Sequence, residues 1–275
     1  MMAGSTQPKD KAMPTQTSKP GLRERAACRE LMRGSFVKSA DPSSIEIFGA
    51  AGLDFVVIDQ EHGIFDRATL NVALLAARAA AIPAVVRVSH LAPEVILSAL
   101  DNGATGILAP HVATADDARA LVRACRYRTG SRGFSGVTRA GGYGSKPMWE
   151  HIDASDAGIA AIAMIEDPSA LDALEEILAV EGLDAVFIGR GDLTVAFGAP
   201  NRNDAIITEA VDRILDAARA YSKPVWVMVD SAADAEAFLA RGAVSFIVSS
   251  DQGLLRKAAA EIAGKLRFSG NEKTA

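Results

Sequence analysis

The chain is 275 residues long, with 49% hydrophobic and 23% charged residues, which suits one large or two small globular domains and excludes a wholly disordered chain. Its 29 basic and 34 acidic residues leave a net charge of −5 and only 5% are aromatic, so neither a phosphate-binding groove nor a base-stacking surface for nucleic acid is expected. No run of about 18 uncharged apolar residues occurs, so no membrane span is indicated.

Residues 1–22 are polar, carry Pro8, Pro14 and Pro20, and lack the apolar stretch of a secretory signal; they read as a flexible leader. A single globular unit is expected over 23–268 and a polar tail over 269–275. Cys28 and Cys125 form no CxxC pair and no zinc-type spacing. Two unpaired thiols in a reducing cytoplasm are therefore expected.

Beyond the leader, short runs rich in Val and Ile alternate with longer helical stretches. The runs are Gly34–Val37, Phe55–Ile58, Ala84–Val88, Gly106–Ala109, Ala160–Ile165, Ala185–Ile188, Val225–Val229 and Ser245–Val248. They are apolar on successive residues, as strands covered on both faces are. Helical patterns fall at Arg67–Ala80, Ala115–Cys125, Pro168–Val180, Thr208–Tyr221 and Ala232–Arg241. The entries AAGLDFVVI, LDNGATGIL, VEGLDAVFI and LARGAVSFIV each place a glycine after a helix and before a strand, which predicts a helix C-cap. Eight strand candidates at about 28 residues per unit predict an α/β protein of the (β/α)8 TIM-barrel type. The competing doubly wound sheet would carry a G-x-G-x-x-G after its first strand, and none is present. The Gly-rich segment Arg132–Trp149 interrupts the rhythm and is expected to be a lid over the site, the alternative being a surface insertion.

Reactive groups of such a barrel come from the carboxyl ends of its strands. The polar residues there are Asp59-Gln60-Glu61-His62, Arg87, His111, Glu166-Asp167, the Gly189-Arg190-Gly191-Asp192 turn and Asp230. Glu166 and Asp192 lie one repeat apart, on neighbouring strands about 4.8 Å from each other. Two hard carboxylates there suit Mg²⁺ or Mn²⁺, with Co²⁺ a third option; each also reads as an acid at a helix start. Arg87 ends an apolar strand and is either an enolate or carboxylate clamp or a salt-bridge partner of Asp59 or Asp101. His62, three residues after Asp59, is either an acid/base group whose tautomer Asp59 fixes or a loop histidine bonded to local backbone. His90, His111 and His151 are weaker candidates. There is no G-x-S-x-G nucleophile, and no lysine closes a barrel strand, Lys223 standing at the start of one. Metal-assisted carbonyl chemistry is thereby favoured over imine chemistry.

The segments LDFVVIDQEHGIFD, PAVVRV, LDNGATGILAPHV, MIED and VEGLDAVFIGRGDLT resemble the HpcH/HpaI aldolases, metal-dependent class II pyruvate aldolases, over residues 30–266. The resemblance implies that Glu166 and Asp192 hold a divalent metal that chelates a pyruvate-like acid. Backbone N–H groups near Gly191 and Asp192 would bind its carboxylate, and Arg87 would stabilise the enolate oxygen. His62, oriented by Asp59, would serve as acid/base through water, with Asp101 a supporting acid near the arginine and a subunit contact. It further implies a homohexamer or trimer of dimers with a C-terminal helix, Leu254–Phe268, exchanged between subunits, and a keto acid and an aldehyde as small-molecule partners. A condensing reaction of oxaloacetate with an acyl-CoA, or a non-catalytic keto-acid-binding barrel, are the alternatives. Three positions depart from the pattern: Met164 stands where a glutamine is usual, Arg190 replaces the proline of G-P-A-D, and Ser89 replaces a proline. Arg190 beside the metal loop suggests a more acidic partner, such as oxaloacetate or a dicarboxylic aldehyde.

Overall fold

The computed structural model describes residues 20–266. Eight parallel strands form a closed barrel in chain order: β1 (Met32–Val37), β2 (Phe55–Asp59), β3 (Ala84–Arg87), β4 (Gly106–Ala109), β5 (Ala160–Ile165), β6 (Ala185–Ile188), β7 (Val225–Val229) and β8 (Ala243–Ser250), with β8 paired to β1. The predicted glycines Gly52, Gly103, Gly182 and Gly242 all adopt positive φ at the turns that feed β2, β4, β6 and β8. Of the predicted helices, Ala115–Cys125 is reproduced to the residue, whereas the 168–180 pattern divides into Pro168–Asp172 and Leu174–Leu178.

Two apolar cores follow from the two-residue period of a strand. Phe55 and Val57 point into the barrel, and Val56 and Ile58 pack against the helices. Val85 and Ile162 likewise face inward. Gly34 admits a ring here: a Cβ at this position would lie 2.4 Å from Phe55 Cε2. Phe55 in turn stacks on Trp226 with centroids 4.7 Å apart.

The same period, carried past the apolar residues, decides what reaches the upper rim. Met32, Gly34, Phe36 and then Lys38 share one parity on β1. On β2 it is Phe55, Val57 and Asp59; on β3, Val85 and Arg87; on β5, Ile162, Met164 and Glu166. On these four strands the inward-facing positions change from apolar to charged where the strand ends.

The lower end is sealed. Leu22 and Ala26, on the helix Leu22–Ala27, are buried with Met32, Phe55 and Trp226. Arg23 and Arg25 tie this helix to Asp184 and Asp54. The expected leader over 1–22 therefore runs too far, because Leu22 is part of the barrel's packing; residues 1–19 and 267–275 lie outside those described.

The 132–149 segment is not a lid. It follows the helix Ala115–Cys125, which descends from the upper rim, and it leads through the helix Met148–Gly158 into the start of β5. Ala140 donates to the carbonyl of Asp101, and Arg139 bonds Asn71 and Asn102 on the helical layer. None of it lines the cavity at the barrel mouth.

Candidate active site

Arg87 is the centre of the rim. Its Nε and Nη2 donate to Asp59 Oδ1 and Oδ2 at 2.9 and 2.7 Å, a bidentate pair buried inside the barrel. Nη1 lies 3.0 Å from Glu61 Oε2 and 4.0 Å from Met164 Sδ, and the guanidinium sits 4.9 Å from the Phe36 ring centroid. Burial alone would raise the Asp59 carboxyl, but the hydrogen bonds and charge of Arg87 outweigh it and hold Asp59 below the usual carboxylate range. The salt-bridge reading of Arg87 is correct for Asp59, and the pair fixes the arginine at the mouth.

Glu166 follows β5 and is almost fully buried. Its Oε1 accepts the backbone N–H of His111 at 2.8 Å. His111 holds φ at +54°, the left-handed region, and that conformation accompanies the inward-directed N–H. Burial raises Glu166 to about 7 despite that hydrogen bond, and the negative charge of Asp192 adds to the rise. Gly189 makes this placement possible, since a Cβ there would meet Glu166 Cβ at 2.5 Å and its Oε2 at 3.0 Å. Asp192 lies in the first turn of the helix Arg190–Ala196 and lines the mouth cavity.

A cavity of about 190 Å³ opens beside these groups, bounded by Lys38, Arg87, Met164, Gly189–Asp192 and Arg202 above an apolar floor. Glu61, His111 and Glu166 offer ligand atoms all within 4.8 Å of one another. A buried carboxylate pushed toward protonation, with further carboxylates around it, fits a hard divalent cation, whose charge would offset the repulsion.

Several sequence expectations meet a different arrangement. Asp59 does not orient the His62 ring: it accepts the backbone N–H groups of Glu61 and His62 at 3.2 Å, while the exposed ring lies 4.0 Å from Glu61. Asp101 ends a helix that descends from β3, so it sits at the lower end, bonded to Arg132 at 2.9 Å and away from Arg87. Arg190 lines the cavity but is held in its wall: Nη2 donates to Met228 O at 2.6 Å and Asp234 Oδ2 at 2.8 Å, so its charge is already paired.

Three participants were not assigned roles from the sequence. Glu61 stands inside the D-x-E-H element and bridges Arg87 and His111, whose ring lies 3.6 Å from it. His111 also approaches Asp167 at 3.1 Å; burial lowers its pKa, but the surrounding carboxylates outweigh that and raise it. Lys38 does close a barrel strand, contrary to expectation, one residue beyond β1, with Nζ 3.4 Å from Asp59. Strand parity was the signal for Lys38.

The chain matches the family model described as HpcH/HpaI aldolase/citrate lyase over residues 33–258. It is 33% identical over 243 residues to a 5-keto-4-deoxy-D-glucarate aldolase of Enterobacter sp. (strain 638), covering 88% of this chain and 94% of the relative. A crystal structure of an HpcH/HpaI aldolase/citrate lyase family protein from Burkholderia cenocepacia J2315 superposes with a TM-score of 0.85 at 28% identity, covering 90% of this chain and 99% of the other. Citrate synthase SbnG superposes with a TM-score of 0.81 at 31% identity over 89% and 97% of the two chains. The match spans the barrel from β1 past β8 and takes in Asp59, Arg87, Glu166 and Asp192 at its mouth: the chain belongs to the HpcH/HpaI aldolase/citrate lyase family.

Proposed function

We propose that the protein is a divalent-metal-dependent aldolase that cleaves or forms 4-hydroxy-2-keto acids, with pyruvate and an aldehyde as the two fragments. The observation that carries this reading is the buried Glu166 at the tip of β5, raised to about 7 beside Asp192, with the paired Arg87 close to it through Met164 and Glu61. The name of the Enterobacter relative supports the aldolase class and suggests a keto-deoxy sugar diacid as one substrate to try.

Glu166 and Asp192 would hold Mg²⁺, Mn²⁺ or Co²⁺, with Glu61 and His111 close enough to Glu166 to assist. The bound cation supplies Lewis-acid polarisation of the keto oxygen. Gly191 and Asp192 line the same cavity, and their backbone N–H groups would receive the substrate carboxylate. In cleavage, a base takes the proton of the C4 hydroxyl, the C3–C4 bond breaks, the aldehyde leaves, and the enolate is protonated at C3. Arg87 contributes a fixed positive charge where negative charge develops on the enolate oxygen, and Asp59 keeps that guanidinium in place. His62 is the candidate base through a water, with Glu61 as its neighbouring carboxylate. Met164 replaces a hydrogen-bond donor with a thioether, so it shapes the cavity against Arg87 and donates nothing.

The C-terminal helix Asp251–Lys265 supports self-association: of its residues only Asp251 is buried, and Leu254, Leu255 and Ile262 are exposed. We assign it to contacts between copies in a homohexamer, the last two residues of the expected 254–268 element lying outside those described. Free Cys28 and Cys125 support a reducing compartment such as the cytoplasm. No helix of the described residues is long and apolar enough to cross a membrane.

The test is pyruvate release from 4-hydroxy-2-keto acids by protein stripped with EDTA and reloaded with each metal. Release restored by Mg²⁺, Mn²⁺ or Co²⁺ is expected. Full turnover in EDTA would contradict the reading, and citrate formed from oxaloacetate and acetyl-CoA without any aldol cleavage would move the assignment to a condensing enzyme.

A further inference from the structure

Two oxygens change charge in an aldol step, the keto oxygen and the oxygen on C4. Arg87 serves the first, and the fold sets a second cation beside it. In the closed barrel β1 lies four strands from β5 in either direction, directly across the mouth. A substrate held at its pyruvate end by Glu166 and Asp192, after β5 and β6, extends its C4 end toward β1 and β2.

Lys38 is the charged side chain that the end of β1 brings to the cavity. Its backbone is fixed from two directions. Its N–H donates to Asp251 Oδ1 at 2.9 Å, the N–H of Ser39 donates to Oδ2 of the same buried carboxylate, and its carbonyl accepts the N–H of Ile64 at 3.4 Å. The ammonium is held less firmly. Among the described residues it is paired with Asp59 Oδ2 alone, at 3.4 Å, which leaves donors of its three for a ligand. Arg87 Nη2 donates to that same Oδ2 at 2.7 Å, so one carboxylate oxygen sets the two cations side by side. His62 is placed differently: its ring is exposed and does not line the cavity, so it reaches C4 only through a water and does not itself hold the oxygen there.

We propose that Lys38 is a further catalytic residue, an ammonium that donates to the C4 oxygen while the C3–C4 bond breaks or forms. In cleavage the base takes the hydroxyl proton, an electron pair of the oxygen becomes the second bond of the aldehyde carbonyl, and the C3–C4 pair passes into the enolate. In synthesis the carbonyl pair returns to that oxygen, which then takes the proton back. Lys38 keeps its own proton in both directions and acts by its charge, as Arg87 does at the enolate oxygen. Asp59 thereby positions the donors for both oxygens. This deepens the aldolase reading and rests on it.

The experiment uses the full chain with Mn²⁺ and two reactions: cleavage of 4-hydroxy-2-oxopentanoate, whose aldehyde fragment is uncharged, and deuterium exchange at the methyl of pyruvate. Exchange forms the enolate but involves no C4 oxygen, so the two reactions divide the roles. Lys38→Met is expected to lower kcat for cleavage by about 10²-fold, the size of one lost donor to a developing oxyanion, while exchange stays within about threefold of wild type. Lys38→Arg, which restores charge and donors, is expected to recover about tenfold of that loss. Lys38→Gln is the second uncharged variant should Lys38→Met fail to fold, and is expected to show the same division. Cleavage at the wild-type rate in an uncharged variant overturns the proposal. So does a loss of exchange as large as the loss of cleavage, because Lys38 would then act only by holding Asp59 and Arg87 in place. Wild-type protein that neither cleaves nor exchanges defeats the aldolase reading itself, an outcome distinct from both.

Discussion

The two ends of the barrel are made from the same strands and do opposite things. At the lower end Met32, Phe55 and Trp226 pack under the helix Leu22–Ala27, and Asp54 and Asp184 on the connecting turns pair with Arg25 and Arg23. At the upper end the inward positions of those strands become Lys38, Asp59 and, on β5, Glu166, and a cavity remains. The lower end is filled with apolar area, which stabilises folding. The upper end concentrates charge and is arranged for chemistry, with the buried Asp59–Arg87 pair serving both ends' purposes. Substitutions should therefore separate into those that lower Tm and those that lower turnover.

Truncating the lower plug should have the largest effect on stability. Trp226 is completely buried against Phe55, and Trp226→Ala is expected to cost about 3–5 kcal/mol in denaturant unfolding. Activity per folded molecule should stay near wild type, and a loss of turnover larger than the loss of folded protein would blur the division. Arg87 tests the same boundary from above, because it belongs to both accounts. Arg87→Met strands Asp59 in the interior, with an expected stability loss of about 3–5 kcal/mol, and it also removes the charge beside the enolate, for an expected rate loss of about 10²–10³-fold. A variant that lost only one of the two would place Arg87 on a single side of the division.

The pH response should belong to the upper end and carry two opposite signs. Asp59 is lowered in the folded protein, so its contribution is complete above the ordinary carboxylate range and is lost as pH falls below about 4. Glu166 is raised to about 7, so metal-free protein binds that proton more tightly than the unfolded chain does. Its contribution is present below pH 4.5 and is lost as pH rises through about 7. Metal binding needs the ionised carboxylate, so affinity should weaken as pH drops below about 7. Urea unfolding of wild type and Glu166→Gln at several pH values checks this; an identical pH dependence in the two proteins would contradict it. The smallest expected effect is in the outer helical layer. Asp66 and Thr69 form a reciprocal cap on the helix Arg67–Ala79, and Asp66→Ala should cost about 1 kcal/mol with turnover unchanged.

The strands were readable because parallel barrel strands are apolar on successive residues, and the glycines before β2, β4, β6 and β8 mark where helices end. The plug was not readable: LRERAA is short and half charged, and only the packing of Leu22 and Ala26 beneath the barrel makes it structural. Arg190 and Asp192 both line the cavity, as their places in the turn after β6 suggest, but the pairing of Arg190 with Asp234 is not legible locally because that partner lies on a later helix. Arg202 carries no local signal, since its place at the mouth depends on how its connection folds back toward Asp230. The 132–149 segment was placed at the wrong end because composition marks it as a loop, whereas its position after a descending helix decides which end it leaves.

The most direct measurement is Mn²⁺ binding, followed by calorimetry at pH 8 in wild type, Glu166→Gln and Asp192→Asn, with aldol turnover recorded on the same samples. One site on the wild type is expected, with affinity and turnover falling together in each variant and thermal stability held. Wild-type affinity retained in both variants would show that the ion, and the chemistry assigned to it, resides elsewhere on the barrel.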